Sequence, residues 1–235
     1  MSTPDRSDRP AVLVTGACRG IGRAIAADLG RDHHVIVGGR DPDAVAELVG
    51  QLPSAEPFLA DLAQDQEIAA AVADLELLQG LSGLVHSAGI LVSGTVEDVT
   101  TADWARSFAL NVTAVAELTR LLLPALRTAR GTVVTINSGS GFTAGAGGGV
   151  YSASKFALRA FSDALRAEEA PHGVRVTSVH PGRTATDMQR ELRSFEGADY
   201  REQDYLRPES VAATVGLALR LPEDAQLPTL SVRPR

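Results

Sequence analysis

A chain of 235 residues, 44% hydrophobic and 22% charged, has the length of one α/β domain and enough apolar residues for a sizeable core. A net charge of −7 argues against a general nucleic-acid or anionic-membrane partner, and the single cysteine, Cys18, excludes an internal disulfide and a cysteine-based metal cluster, so no metal is expected. Residues 1–9 are polar, carry no apolar signal core and are expected to be flexible, and no apolar run approaches the roughly 20 residues of a membrane helix; the expectation is one cytoplasmic domain over 1–235.

The first β-rich run, 11–15, leads straight into TGACRGIG at 15–22 and a helix over 20–30, where Ile21, Ile25 and Leu29 recur on one face. Further strands are predicted over 34–38, 56–60, 83–87, 131–137, 174–180 and 229–232, and further helices over 41–51, 64–74, 101–127, 151–170 and 208–220. Segment 184–206 reads as a substrate loop. The strands are mostly continuous apolar runs, as expected where helices cover both faces of a sheet. Strand–helix alternation along the whole chain predicts a doubly wound Rossmann fold with a parallel sheet of about seven strands, whose ligands sit beyond the carboxyl ends of the strands.

The glycine-rich turn joins a strand to a helix, which is the context in which such a turn binds a dinucleotide. Gly16 permits the tight turn, Gly20 admits a pyrophosphate, and Gly22 lets the helix pack close. An NAD site would place a carboxylate at the tip of the second strand; this chain reads HVIVGGRD there, with Arg40 at the tip and Arg19 inside the glycine turn. A guanidinium suits a 2′-phosphate, so NADP(H) is favoured over NAD(H). Asp41 opposes that preference, either by neutralising Arg40 or by turning to the ribose, and a loop arginine can also be merely solvated.

The chain has 21 arginines and one lysine, Lys155, which lies four residues after Tyr151. On a helix that spacing puts the two side by side, and a neighbouring ammonium would lower the tyrosine pKa toward the range useful for acid–base catalysis. Ser138, at the end of the preceding strand, can hold a substrate oxygen.

These motifs, TGACRGIG, LNV at 110–112, Ser138, YSASK at 151–155 and HPGRTAT at 180–186, occur in an order that resembles the short-chain dehydrogenase/reductase family over essentially the whole chain. The resemblance implies hydride transfer between a nicotinamide and a carbonyl or alcohol carbon, with Tyr151 as general acid/base assisted by Lys155, Ser138 and Asn111. Asn111 would join a proton relay with water and Lys155, and Lys155 would also bind the nicotinamide ribose. Asp61, with Leu62 beside it, would meet the adenine; Ile21, Ala88 and Gly89 would lie along the cofactor; Pro181, Gly182, Thr184 and Thr186 would hold its nicotinamide end. Two positions depart from the family pattern. Ser87 stands where asparagine is usual, which predicts a weaker supporting hydrogen bond, and Thr184 stands where valine is more common.

For the substrate pocket the candidates are Leu91, Ser138, Phe142, Met188, Phe195, Tyr200 and Tyr205, a set that points to a hydrophobic or aromatic carbonyl compound or alcohol. Arg183, Arg190 and Arg193 would meet an acidic substrate or simply face solvent. His180 reads as a hydrogen-bonded residue at a strand end. In the family it resembles, the long helices 102–126 and 151–169 pair across a two-fold axis, so the resemblance implies a homodimer or homotetramer. Two other readings are a non-catalytic NADP-binding regulator or scaffold, and a different doubly wound class such as a methyltransferase.

Overall fold

The computed structural model describes residues 9–77 and 79–235; of the stretch expected to be flexible, residues 1–8 lie outside them. Seven strands, β1 (Ala11–Val14), β2 (His34–Gly39), β3 (Ala55–Leu59), β4 (Gly83–His86), β5 (Thr132–Ile136), β6 (Arg175–Pro181) and β7 (Thr229–Val232), form one sheet in the order β3-β2-β1-β4-β5-β6-β7. Every pairing is parallel. The strand order reverses between β1 and β4, and a crevice opens beyond the carboxyl ends of those strands.

Alternate residues of each central strand face opposite layers, and both layers are apolar. Val12, Val14, Val35, Val37, Val85 and Val134 join one core, with Ile25, Leu29 and Val215 from the helices α1 (Gly20–Leu29) and α8 (Pro208–Leu219). Leu13, Ile36, Leu84, Val133 and Val176 join the other, with Leu118, Leu122, Leu126 and Leu165. That two-sided burial is the physical reason the strands read as unbroken apolar runs. The remaining helices are α2 (Pro42–Gln51), α3 (Asp65–Ala73), α4 (Thr101–Phe108), α5 (Ala114–Ala129), α6 (Gly149–Glu169) and α7 (Asp187–Phe195).

Three departures from expectation bear on the site. The helix predicted over 101–127 is interrupted by a π-turn, Ala109–Thr113, that carries Asn111. The supposed loop 184–206 contains α7, whose N-cap Thr186 accepts from the Gln189 amide, followed by a 3₁₀ turn at Glu202–Asp204. The helical run Thr101–Ala129 is also long and apolar enough, at mean hydropathy 1.3, to meet the length and composition test for a membrane span, contrary to the sequence reading. Its buried face, Leu118, Leu122 and Leu126, packs in the core, while Glu117 and Arg120 pair on its outer side, so it behaves as a core helix of the domain.

Candidate active site

The crevice is a single cavity of about 980 Å³ that runs from the glycine turn to α7. At one end the wall is backbone. Gly16 has φ +61°, and a Cβ there would lie 2.9 Å from the Ala88 Cα; one on Gly22 would lie 2.1 Å from the Gly16 carbonyl oxygen. At Gly20 the neighbour is the Thr186 methyl, 3.2 Å from a Cβ position, so α7 closes onto the turn there. Arg19 gives α1 no side-chain cap and the first turn of α1 has no acid, which leaves its amides available to an anion. Thr15 steadies the crossing point: its hydroxyl oxygen accepts from the amides of Ser87 and Ala88, both at 3.1 Å. These two bonds hold the backbone at Ser87, the position where the sequence departs from the asparagine of the pattern it resembles.

Arg19 and Arg40 both line this end and have no ion pair among the described residues. Asp41 does not neutralise Arg40. Its Oδ1 caps α2, accepting from the amides of Asp43 (3.1 Å) and Ala44 (3.3 Å). Ile21, Asp61, Leu62, Ala88 and Gly89 line the same stretch; Asp61 Oδ1 accepts from the Ala63 amide at 3.0 Å.

Beyond Gly89 the cavity meets Ser138, Tyr151 and Lys155. Ser138 lies two residues beyond β5 and caps a 3₁₀ turn, its Oγ accepting from the Ser140 amide at 3.1 Å. Asn137 fixes it from behind, accepting from the Ser138 amide through Oδ1 (2.9 Å) and donating through Nδ2 to the Lys155 carbonyl (3.2 Å). Lys155 Nζ donates to the Ile136 carbonyl at 2.9 Å and lies 5.6 Å from the centre of the Tyr151 ring. Burial pushes this amine down to about 8.

The tyrosine differs from expectation. Burial raises the Tyr151 phenol above its ordinary value, and a hydrogen bond with Ser138 opposes that rise without cancelling it. The sequence reading gave Lys155 the opposite and dominant effect. The lysine bonds the Ile136 carbonyl, and its own burial weakens its charge. A protonated phenol at neutral pH is the acid form.

Asn111 is committed through its side chain. Oδ1 accepts from the Ile90 amide at 2.9 Å, and Nδ2 donates to the Ile90 carbonyl at 2.9 Å and to Ser154 Oγ at 3.0 Å. Both N–H groups of that amide are used, so a relay through Asn111 is left to its main chain, which the π-turn displaces from ordinary helical register.

His180 is neutral and structural: its Nδ1 donates to the Ser138 carbonyl at 2.8 Å, Nε2 meets Ser178 Oγ at 2.9 Å, and burial holds its pKa down. Pro181 ends β6, and Gly182, Thr184 and Thr186 follow along the cavity. The Thr184 hydroxyl turns back onto the Gly182 carbonyl at 3.0 Å.

Of the substrate-pocket candidates, Leu91, Ser138, Met188 and Phe195 line the cavity; Phe142, Tyr200 and Tyr205 do not. Phe142 stacks on the far side of His180, ring centres 4.1 Å apart, because the 3₁₀ turn after Ser138 rotates it outward. Tyr200 stacks on Tyr205 (5.1 Å) and under Arg190 (4.0 Å), past the end of α7. Met188, Leu192 and Phe195 form the inward stripe of α7, and Phe195 covers Gly147 at 3.1 Å from its Cβ position. Sequence reading missed Gln189 and Arg233, which also line the cavity. Thr186 and Gln189 have the spacing of a helix-capping box, which was available as a signal; nothing local marks Arg233.

Residues 10–197 match the family described as short chain dehydrogenase. The chain is 34% identical to glycine betaine reductase ATRR of Emericella nidulans over 95% of its own length but only 18% of that protein's. It is 32% identical to the uncharacterized short-chain type dehydrogenase/reductase y4eK of Sinorhizobium fredii, covering 94% of this chain and 90% of that one. Among solved structures, actinorhodin polyketide ketoreductase with NADPH superimposes with a TM-score of 0.88 at 26% identity, covering 97% of each chain. The fold, the glycine turn and these matches together make the chain a member of the short chain dehydrogenase family of oxidoreductases.

Proposed function

We propose that the protein is an NADP(H)-dependent oxidoreductase acting on a carbonyl or alcohol carbon, with Tyr151 as general acid/base. One observation carries the reading: the Ser138 hydroxyl, the Tyr151 phenol and the Lys155 amine share a cavity whose other end holds two arginines without carboxylate partners among the described residues. The donor set fits a phosphorylated dinucleotide. The uncapped first turn of α1 and Arg19 would meet the diphosphate, Arg40 the 2′-phosphate, Asp61 and Leu62 the adenine, and Thr186 with Gly182 the nicotinamide end.

The bound nicotinamide supplies or accepts the hydride. The protein positions the reacting carbonyl and handles its proton. Ser138 donates to the carbonyl oxygen. Tyr151, its proton retained by burial, gives that proton to the same oxygen as the carbon gains the hydride; in the reverse direction the phenolate takes it back. Lys155 stabilises the phenolate that remains, and Asn111 holds Ile90 and the Gly89 approach in place. Pre-set orientation by Asn137 and His180 means the serine is not reorganised during the reaction.

The test pairs thermal stability in NADPH, NADH and buffer with NADPH consumption on ketones, aldehydes and quinones. A shift larger for NADPH, with turnover on any panel member, is expected. Absence of any NADPH shift would break the reading at the glycine turn. A shift without turnover on a broad panel would favour a binding protein.

A further inference from the structure

We propose that Arg233 clamps an anionic group of the substrate, so that the protein acts on carbonyl compounds, or the matching alcohols, carrying a carboxylate near the reacting carbon. This rests on the oxidoreductase reading above. The chain after β7 crosses the carboxyl end of β6: the Gly182 amide donates to the Val232 carbonyl at 2.7 Å, and the Arg233 Cδ lies 3.3 Å from a Gly182 Cβ position. Arg233 is thereby brought to the cavity beside Ser138. Its Nη2 lies 3.6 Å from where a Gly139 Cβ would stand, and glycine at 139 leaves that approach open.

The guanidinium is anchored at one corner. Nη1 donates to the His180 carbonyl at 2.5 Å and to the Val232 carbonyl at 3.0 Å. Nε and Nη2 keep their N–H groups without a partner among the described residues, and no carboxylate pairs with the side chain. That free edge is the face that takes a carboxylate through two parallel hydrogen bonds, and the anchor already fixes its orientation.

The other cations of the cavity are differently employed. Glu196 neutralises Arg183 through both oxygens, Lys155 bonds the Ile136 carbonyl, and Arg19 and Arg40 belong to the opposite end. A second observation points to a polar ligand. Gln189 is 6% exposed and lines the cavity, yet its Nε2 has no hydrogen-bond partner among the described residues. Met188, Leu192 and Phe195 line the same cavity with apolar side chains, which suits a short apolar chain ending in a carboxylate.

The experiment uses the full chain with NADPH and matched pairs of substrates, an apolar 2-keto acid against its methyl ester and a 3-keto acid against its ester. Wild type is expected to prefer the acid in kcat/KM by about 10- to 100-fold, the range for a charge-assisted hydrogen-bonded contact. Arg233→Gln should collapse that ratio toward one, mainly through KM for the acid. Arg233→Lys, which keeps the charge and loses the fork, should fall between, and guards against a loosened tail in the glutamine variant. Arg201→Gln, whose arginine pairs with Asp204 outside the cavity, should keep the wild-type ratio. Equal use of acids and esters by wild type, or an unchanged ratio in Arg233→Gln, overturns the clamp and leaves the oxidoreductase reading standing. No NADPH-dependent turnover or NADPH shift on any substrate overturns that reading, and the clamp with it.

Discussion

The two ends of the cavity are built by different means. Around Gly16, Gly20 and Gly22 the wall is main chain, and at Gly16 and Gly22 a Cβ would strike backbone that cannot move aside. Around α7 the wall is side chain: Met188, Leu192 and Phe195 on one helix, Arg183 tied to Glu196, and Arg233 arriving from the far end of the sequence. A backbone wall admits one kind of ligand and tolerates little substitution. A side-chain wall can be altered a residue at a time, so on the proposed reading it is where specificity for the carbonyl partner would reside.

The largest effects are expected where the two ends meet. Tyr151→Phe should keep NADPH-induced stabilisation and lose about 10²- to 10⁴-fold in kcat, the usual contribution of a positioned general acid; near-normal turnover would remove the tyrosine from the mechanism. Lys155→Met should lose turnover as well, yet be more stable than wild type at neutral pH in thermal unfolding. The sign follows from the amine's depression to about 8 against an ordinary 10.5. Between those values the unfolded chain binds more protons than the folded one, so the wild-type stability rises with pH there, and the folded state bears the whole cost of the buried ammonium below about 8. The methionine variant should lack that rise. Reduction should also decline above about pH 8 as Lys155 loses its charge.

Next come substitutions that separate backbone wall from side-chain wall. Gly16→Ala places a Cβ against Ala88 at positive φ and should cost about 1–3 kcal/mol of stability, with NADPH binding weakened in calorimetry. Leu192→Ala, at the other end, should leave NADPH affinity within error and raise KM for apolar carbonyl substrates. If the leucine variant weakened NADPH as strongly as the glycine variant, the division between the ends would fail. Arg40→Asp should shift the NADPH/NADH ratio of kcat/KM toward NADH by about tenfold or more, by setting a carboxylate against the 2′-phosphate. An unchanged ratio would show that Arg40 does not read that phosphate.

Most of the backbone end was legible because it is local in sequence: strand, turn and helix are contiguous from 11 to 29, and both faces of each strand advertise burial. That Tyr151 and Lys155 lie side by side was legible for the same reason, the two being one helical turn apart. The pKa of Tyr151 was not, because burial is a property of the folded surroundings and outweighs the nearby charge. Phe142 and Tyr200 were misplaced because a 3₁₀ turn and the end of α7 decide which way they face. Arg233 is brought to Ser138 by the pairing of β6 with β7, which no short motif encodes.

The smallest effect sharpens the comparison from the side-chain end. Glu196 accepts from Arg183 at 2.9 Å through Oε2 and from Arg193 at 2.6 Å, tying the end of α7 to the turn after β6. Both arginines hold the Glu196 carboxyl below its ordinary range. The Arg183 side chain is 46% exposed, however, and exposed pairs contribute only about 0.2–1 kcal/mol. Glu196→Gln should therefore move thermal stability by about that amount. It should leave NADPH affinity alone and raise KM for carbonyl substrates a few-fold as α7 loosens over the cavity. It also frees Arg183 within the same wall, so any new tolerance for a second carboxylate on the substrate would appear in this variant and be absent from Arg193→Gln, which leaves the Arg183–Glu196 pair intact. If Glu196→Gln instead weakened NADPH and left carbonyl KM unchanged, α7 would belong to the cofactor end and the substrate wall would have to be sought elsewhere.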